Sequence, residues 1–302
     1  MKKVRWGILS TANIGVEKVI PGMLKSGDVE VVGIASRTAV AAAKAAKTLG
    51  IAKSYGSYEA LLDDPEIEAI YNPLPNHLHV PLTLEATKRG KHVLCEKPIA
   101  ITAKEAEALR SVPKGIHVAE AFMVRHHPQW IEARRLAQSG ELGRLTALQV
   151  LFTYFNRDPR NVRNMADIGG GGLLDIGCYP VTVARYVFGS EPLRVVGAIE
   201  RDPDFKTDRL SSGVLDFGAG RHLSFSASTQ SAAYQRAHVV GTNGRFEIEI
   251  PFNAPPDRPC VAWLDRADGS GSKRIEYPIC DQYQLQAEWF GRVVRGEEKL
   301  AW

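Results

Sequence analysis

Long apolar runs are missing from this sequence. No stretch of about twenty apolar residues occurs, so nothing in it reads as a membrane-spanning helix. Cysteine is scarce: Cys95, Cys178, Cys260 and Cys280 are the whole set, and none are paired at a metal-ligand spacing. No metal site is expected. A chain of 302 residues has no need of disulfide staples, so a reducing cytoplasm is the expected compartment. An excess of one charge is missing too, because 38 Lys and Arg stand against 34 Asp and Glu, a net charge of +4. That balance argues against nucleic-acid and membrane-surface partners and suits a protein that holds one anionic cofactor. The opening MKKVRWGILSTANIG sets two lysines before apolar residues, but the stretch is short, polar and interrupted by Arg5, unlike an export signal. Repeats and low-complexity tracts are absent.

What is present is the composition of an ordinary globular protein, 44% hydrophobic and 24% charged, at a length that favours two domains. The first stretch alternates short apolar strands with helices. Strands are expected at 4–10, 29–36, 69–72, 92–96 and 116–119, and helices at 13–26, 39–49, 79–89 and 102–110. Pro21 should kink or end the first helix, and Gly50 and Gly90 should close the second and third. This alternation predicts a doubly wound parallel sheet. After residue 122 the texture changes. A helix at 128–138 opens on a proline. Strands follow at 145–155, 193–199, 213–217, 222–227, 237–241, 245–250, 261–265 and 274–277, then a helix at 284–295. The expected architecture is a Rossmann-type domain over 1–122 and an α+β domain over 123–302 whose sheet is mostly antiparallel.

Two further absences concern a cofactor. The turn after the first strand, GILSTANIG, lacks the strict G-x-G-x-x-G of a dinucleotide fingerprint; its three slots hold Ser10, Ala12 and Gly15. Alone it could be a generic strand-to-helix turn. Ser10 and Ala12 are still small, and Ser10, Thr11, Ala12, Asn13 and Ile14 could bring backbone N–H groups to a pyrophosphate. The second strand ends in Ser36-Arg37-Thr38, without the acid that would bond an NAD ribose. Arg37 instead offers a planar cation to a 2′-phosphate and a face to adenine, which favours NADP over NAD.

Three segments carry a resemblance: YNPLPNHLHV, HVLCEKPIA and GGGGLLDIGCYP. Together they make the chain similar to the glucose-fructose oxidoreductase/inositol dehydrogenase/rhizopine catabolism (Gfo/Idh/MocA) oxidoreductase family. It most resembles the dihydrodiol dehydrogenase and xylose dehydrogenase branch, and sugar 3-ketoreductases. The resemblance covers nearly the whole chain, and its S-x-A-x-x-G turn is a variant of that branch. It implies a Rossmann domain followed by a large open sheet, and an NAD(P)-dependent oxidoreductase acting on a secondary alcohol or ketone, often of a sugar. It implies a cis bond between Lys97 and Pro98, Glu96 facing the nicotinamide ribose, and Lys97 reaching the substrate oxygen. It also implies a further helix after 284–295 that packs back on the first domain; the sequence stops at Trp302. An open sheet with one bare face tends to pair, so a homodimer or homotetramer is expected.

Hydride transfer needs a held cofactor, a carbon set against it and a group that moves the hydroxyl proton. Lys97 follows a sheet strand, where open α/β sheets bind ligands. Asp175 and Tyr179 are four apart, on one face of a helix. Many relatives have histidine where Tyr179 stands. Free tyrosine titrates near 10, and a neighbouring ammonium would lower that. Tyr179 is therefore read as the proton-transfer residue, Lys97 as its electrostatic partner and substrate ligand, and Asp175 as an acceptor for a substrate hydroxyl. The plainer readings are a surface ion pair for Glu96 and Lys97, an N-cap for Asp175 and a core tyrosine for Tyr179.

Asn72, Leu74, Asn76 and His77 lie where the backbone would pass the cofactor, although His77 could instead cap the next helix. Arg125 and Arg163 could line the cleft between domains, while Arg157 and Arg160 read as a solvated loop. His126 and His127 read as helix-start residues. The glycines 169–172 would allow close backbone approach, and Tyr283 resembles a position that reaches the cleft. The alternative function is a non-catalytic dinucleotide-binding regulator of the same fold; the intact E-K-P and D-x-G-x-Y motifs point to the enzyme.

Overall fold

The computed structural model describes residues 2–300. They fall into two compact units, one running to Met123 and resuming at Gln282, the other Val124–Asp281. The first unit carries β1 (Val4–Leu9), a π turn (Gly15–Val19) running into α1 (Ile20–Leu24), β2 (Val29–Ala35), α2 (Ala39–Leu49), β3 (Lys53–Tyr55), α3 (Tyr58–Leu62), β4 (Ala69–Asn72), α4 (His79–Lys88), β5 (His92–Cys95), α5 (Ala103–Ala106) and β6 (Val118–Glu120). The six strands form one parallel sheet in the order β3-β2-β1-β4-β5-β6. Strand order therefore reverses between β1 and β4, and the ends of those two strands make the switch point where such sheets take ligands.

The second unit carries α6 (Pro128–Ser139), β7 (Leu145–Phe155), a π turn (Leu173–Gly177) running into α7 (Cys178–Phe188), and then β8 (Arg194–Arg201), β9 (Asp208–Asp216), β10 (His222–Ser228), β11 (Gln230–Gly241), β12 (Gly244–Ile248), β13 (Cys260–Arg266) and β14 (Ser272–Tyr277). Its eight-stranded sheet runs β14-β13-β12-β11-β7-β10-β9-β8, antiparallel except for the β7–β10 pair. The expected fold class is the one observed.

Three details differ from the sequence reading. The short β3 and α3 were not expected there; three residues and five residues are too few for a period to show. The helix expected at 102–110 is a single α turn, α5, followed by 3₁₀ turns to Ser111. The last helix, α8 (Gln282–Val294), which the sequence reading kept with residues 123–302, packs in the first unit. Trp289, Phe290 and Val293 are buried with Trp6, Ile20 and Met23 on one face of the parallel sheet, and the Phe290 ring lies 5.5 Å from that of Trp6. An amphipathic helix goes where its apolar stripe is covered. The opposite face is covered around Leu61, Leu62, Ile67, Ile70 and Val93. Among the described residues, no helix is long and apolar enough to cross a membrane, and no group of three or more His, Cys, Asp or Glu side chains could hold a metal ion.

Candidate active site

In the first unit the switch point is built from four strand ends. Ser10 follows β1 with φ of +104°, a backbone that favours glycine. Its N–H donates to Ala35 O (3.1 Å), and its Oγ accepts from the Ala12 N–H (3.2 Å). The hydroxyl thus holds by a local hydrogen bond the tight turn that a dinucleotide fingerprint makes with glycine. Asn13 is exposed, and Thr11, Ala12 and Ile14 are half-buried. A Cβ on Gly15 would stand 3.6 Å from both Tyr71 and Pro73, so the helix start lies directly against the end of β4.

Ser36 is buried at the end of β2 and donates its N–H to Tyr55 O (3.1 Å), and Thr38 caps α2 by accepting from Ala41 N–H. Arg37, between them, is exposed and has no hydrogen bond or ion pair among the described residues. Burial pushes the Tyr58 phenol up, and the Arg37 charge pulls it partly back, so the guanidinium acts at that phenol. A dinucleotide phosphate fits here: the turn is tight, and a cation at the ribose end of the sheet is uncommitted.

The loops after β4 and β5 are tied together. Asn72 is fully buried; its Nδ2 donates to His79 O (3.2 Å) and Thr83 Oγ1 (3.3 Å), and its Oδ1 accepts from Leu74 N–H (3.3 Å). Its side chain is therefore spent inside the fold, and it acts by shaping the turn that presents Leu74, Asn76 and His77. His77 Nδ1 is a buried atom without a partner among the described residues. Glu96 N–H donates to Asn72 O (3.0 Å), and Glu96 Oε1 accepts from the Tyr71 hydroxyl (2.7 Å). Burial and the Glu96 charge push the Tyr71 phenol well up, so it remains a donor. The Lys97–Pro98 bond is cis. Tyr283, on α8, acts electrostatically on Tyr71 and packs against the first-unit core.

The second unit gathers the other residues. Asp175 lies in the π turn before α7, and Tyr179 in the first turn of α7 itself. Arg163 Nε meets Asp175 Oδ1 at 2.8 Å, and the Tyr154 hydroxyl donates to Asp175 Oδ2 at 2.6 Å. Asp175 foremost, with Tyr154 and Tyr179, pushes the Arg163 guanidinium further up, so all four groups share one electrostatic site. Tyr179 is 5% exposed, and its ring lies edge-on to Phe152 (5.9 Å) and tilted against Phe252 (5.2 Å). The Arg125 guanidinium lies 5.6 Å from the centre of the Tyr186 ring.

The glycine run explains how that site is held. Gly171 has φ of +125°, and a Cβ there would come within 2.1 Å of Asp208 Oδ1. Asp208 accepts from Leu173 N–H (2.6 Å) and Ser211 Oγ (2.8 Å), capping the helix that carries Asp175 and Tyr179. Gly171 N–H donates to Arg163 O (2.8 Å), and a Cβ on Gly170 would come within 2.7 Å of that carbonyl, which fixes the loop behind Arg163.

Residues 4–118 match the oxidoreductase family with an NAD-binding Rossmann fold, and residues 130–247 match the GFO/IDH/MocA C-terminal domain. The chain belongs to the GFO/IDH/MocA oxidoreductase family. An uncharacterised oxidoreductase of Rhizobium meliloti is 46% identical, over 99% of this chain and 91% of that protein. A D-xylose 1-dehydrogenase (NADP+) of Haloferax volcanii is 37% identical, over 97% and 90%. Among solved structures, a 3-ketoreductase from Actinomadura kijaniata in complex with NADP and TDP-benzene superposes with a TM-score of 0.90 at 28% identity, covering 98% of this chain and 91% of that one.

Within this GFO/IDH/MocA chain, four residues at the candidate site escape a reading of the sequence. Tyr71 and Tyr154 look like strand residues, and Asp208 follows an unremarkable loop. Tyr71 and His79 both stand in the quoted YNPLPNHLHV, and nothing in that motif says what either ring touches.

Proposed function

We propose that the chain is an NADP(H)-dependent oxidoreductase moving a hydride between the nicotinamide and a secondary alcohol or ketone. The substrate class is a sugar, a sugar derivative or a cyclic diol. The observation that carries this reading is the charge-organised set Arg163–Asp175–Tyr154 with Tyr179, in a chain that also keeps the E-K-P turn at its switch point. NADP is favoured over NAD by the uncommitted Arg37 and by the NADP named for the Haloferax and Actinomadura relatives.

The bound nicotinamide supplies the hydride. The N–H groups of Thr11, Asn13 and Ile14 would hold the pyrophosphate, since those of Ser10 and Ala12 are spent on Ala35 O and Ser10 Oγ within the turn. Arg37 would take the 2′-phosphate, and Glu96, Asn76 and His77 would meet the ribose. Lys97 donates a hydrogen bond to the substrate oxygen. Tyr179 moves the hydroxyl proton; a cation beside a phenol favours its ionised form, and Arg163 serves. Asp175, its two oxygens already oriented by Arg163 and Tyr154, accepts from a neighbouring substrate hydroxyl with its remaining lone pairs.

The test is NADPH oxidation with a panel of keto-sugars and diketones, and NADP reduction with aldoses and cyclic diols. Turnover with NADPH, slower with NADH, is expected. Tight NADP binding without turnover on any of them would overturn the enzyme reading in favour of a non-catalytic regulator.

A further inference from the structure

His79, the first residue of α4, is 1% exposed and lies between two loops of the site. Its Nδ1 is 2.7 Å from Pro98 O, beside Lys97, and its Nε2 is 2.6 Å from Leu74 O, in the turn proposed to meet the ribose. Both partners are carbonyl oxygens, which only accept. A neutral imidazole has one N–H. In that state one ring lone pair would face a carbonyl oxygen at hydrogen-bond distance with no proton between them. Both contacts are satisfied only if both nitrogens carry protons.

We infer that His79 is a positioning residue for Lys97, a doubly protonated ring that fastens the Pro98 carbonyl to the Leu74 carbonyl. Its own backbone is tied into the same unit, because Asn72 Nδ2 donates to His79 O. One side chain therefore sets the distance between the loop that carries the substrate lysine and the loop that passes the cofactor. Burial works against the second proton, and the Lys97 ammonium adds to that opposition. The two carbonyls favour the proton, and so does the Glu105 carboxylate, the other charged group acting on the ring. On balance the ring's pKa is held below its usual 6.5, with burial the largest cause; what argues for the charged form is the pair of short carbonyl contacts, each of which needs an N–H.

The inference rests on the proposed role of Lys97, but its first test does not need turnover. Neutron diffraction of the deuterium-exchanged chain at neutral pH should show a deuteron on each His79 nitrogen. A single deuteron would overturn the two-donor clamp. The second test is His79→Gln, whose two N–H donors sit on one nitrogen and cannot reproduce the ring's two separately placed donors. Misplacement of a reacting group by about 1 Å can cost about 100-fold. A loss of kcat of that order per folded molecule is expected, with KM for NADPH little changed. An unchanged kcat in folded His79→Gln would overturn the positioning role. If the native chain turns over no substrate, the proposed function fails while the neutron result still decides the clamp.

Discussion

At the scale of the residue, Tyr179 bears the most consequence. A tyrosine 5% exposed against Phe152 and Phe252 could be only a packing residue. What separates it from one is charge, because it acts on the Arg163 guanidinium together with Asp175 and Tyr154. Tyr179→Phe keeps the ring and its packing and removes only the hydroxyl. The expected result is a kcat lowered about 10²- to 10⁴-fold, the span of general acid–base catalysis, with the basic limb of the pH–rate profile gone. A variant that keeps that limb assigns the proton to another group. Arg37 allows a cleaner test. Hydrogen bonds to charged groups contribute about 1.5–3 kcal/mol, so Arg37→Ala should raise KM for NADPH about 10- to 100-fold and leave KM for NADH nearly unmoved. Steady-state kinetics with the two cofactors reads the difference. The reading of Arg37 comes from an absence in the sequence, the missing acid after the second strand, and these kinetics are what test it. Asn72 was legible only as a position, since its side chain turns inward to His79 and Thr83, and nothing in one sequence says which way a strand-end side chain faces.

At the scale of the element, the helix of Asp175 and Tyr179 depends on a carboxylate from β9. Asp208→Ala would leave the Leu173 N–H without its acceptor. That should cost about 1–3 kcal/mol in chemical denaturation and lower kcat as the helix start loosens. The cap was not legible, because it joins residues 35 apart through a run of glycines whose purpose shows only against Asp208. A second cap carries a pH dependence. His127 accepts from Gln129 N–H at the start of α6, and burial lowers its pKa from 6.5 to about 4. Between those values the unfolded chain holds a proton that the folded chain does not, so His127 makes stability fall as pH drops from about 6.5 towards 4. His127→Asn keeps a capping acceptor and removes the titration. Its denaturation midpoints at neutral pH and near pH 4 should differ less than those of the native chain. An equal difference would acquit His127.

At the scale of the whole molecule, alternation of strands and helices gave the parallel sheet, and the string of turns after residue 122 gave the antiparallel one. The last helix went astray because an apolar stripe declares that a helix will be covered without saying by what; Trp6 and Ile20 are the answer. The second sheet leaves all eight residues of its edge strand β8 exposed, Val195 at 65% and Val196 at 74% among them. We expect the chain to self-associate through this sheet as a dimer or tetramer, and Val196→Asp to weaken that association in sedimentation velocity; a native monomer at micromolar concentration would contradict it. The central claim is that a lysine at the switch point serves the substrate while the rest of the turn serves the cofactor. It is tested most directly by Lys97→Met, with NADPH binding measured by titration and NADPH oxidation measured on the best carbonyl of the panel. The account predicts binding close to native and turnover abolished; an ordinary kcat in the variant would contradict it.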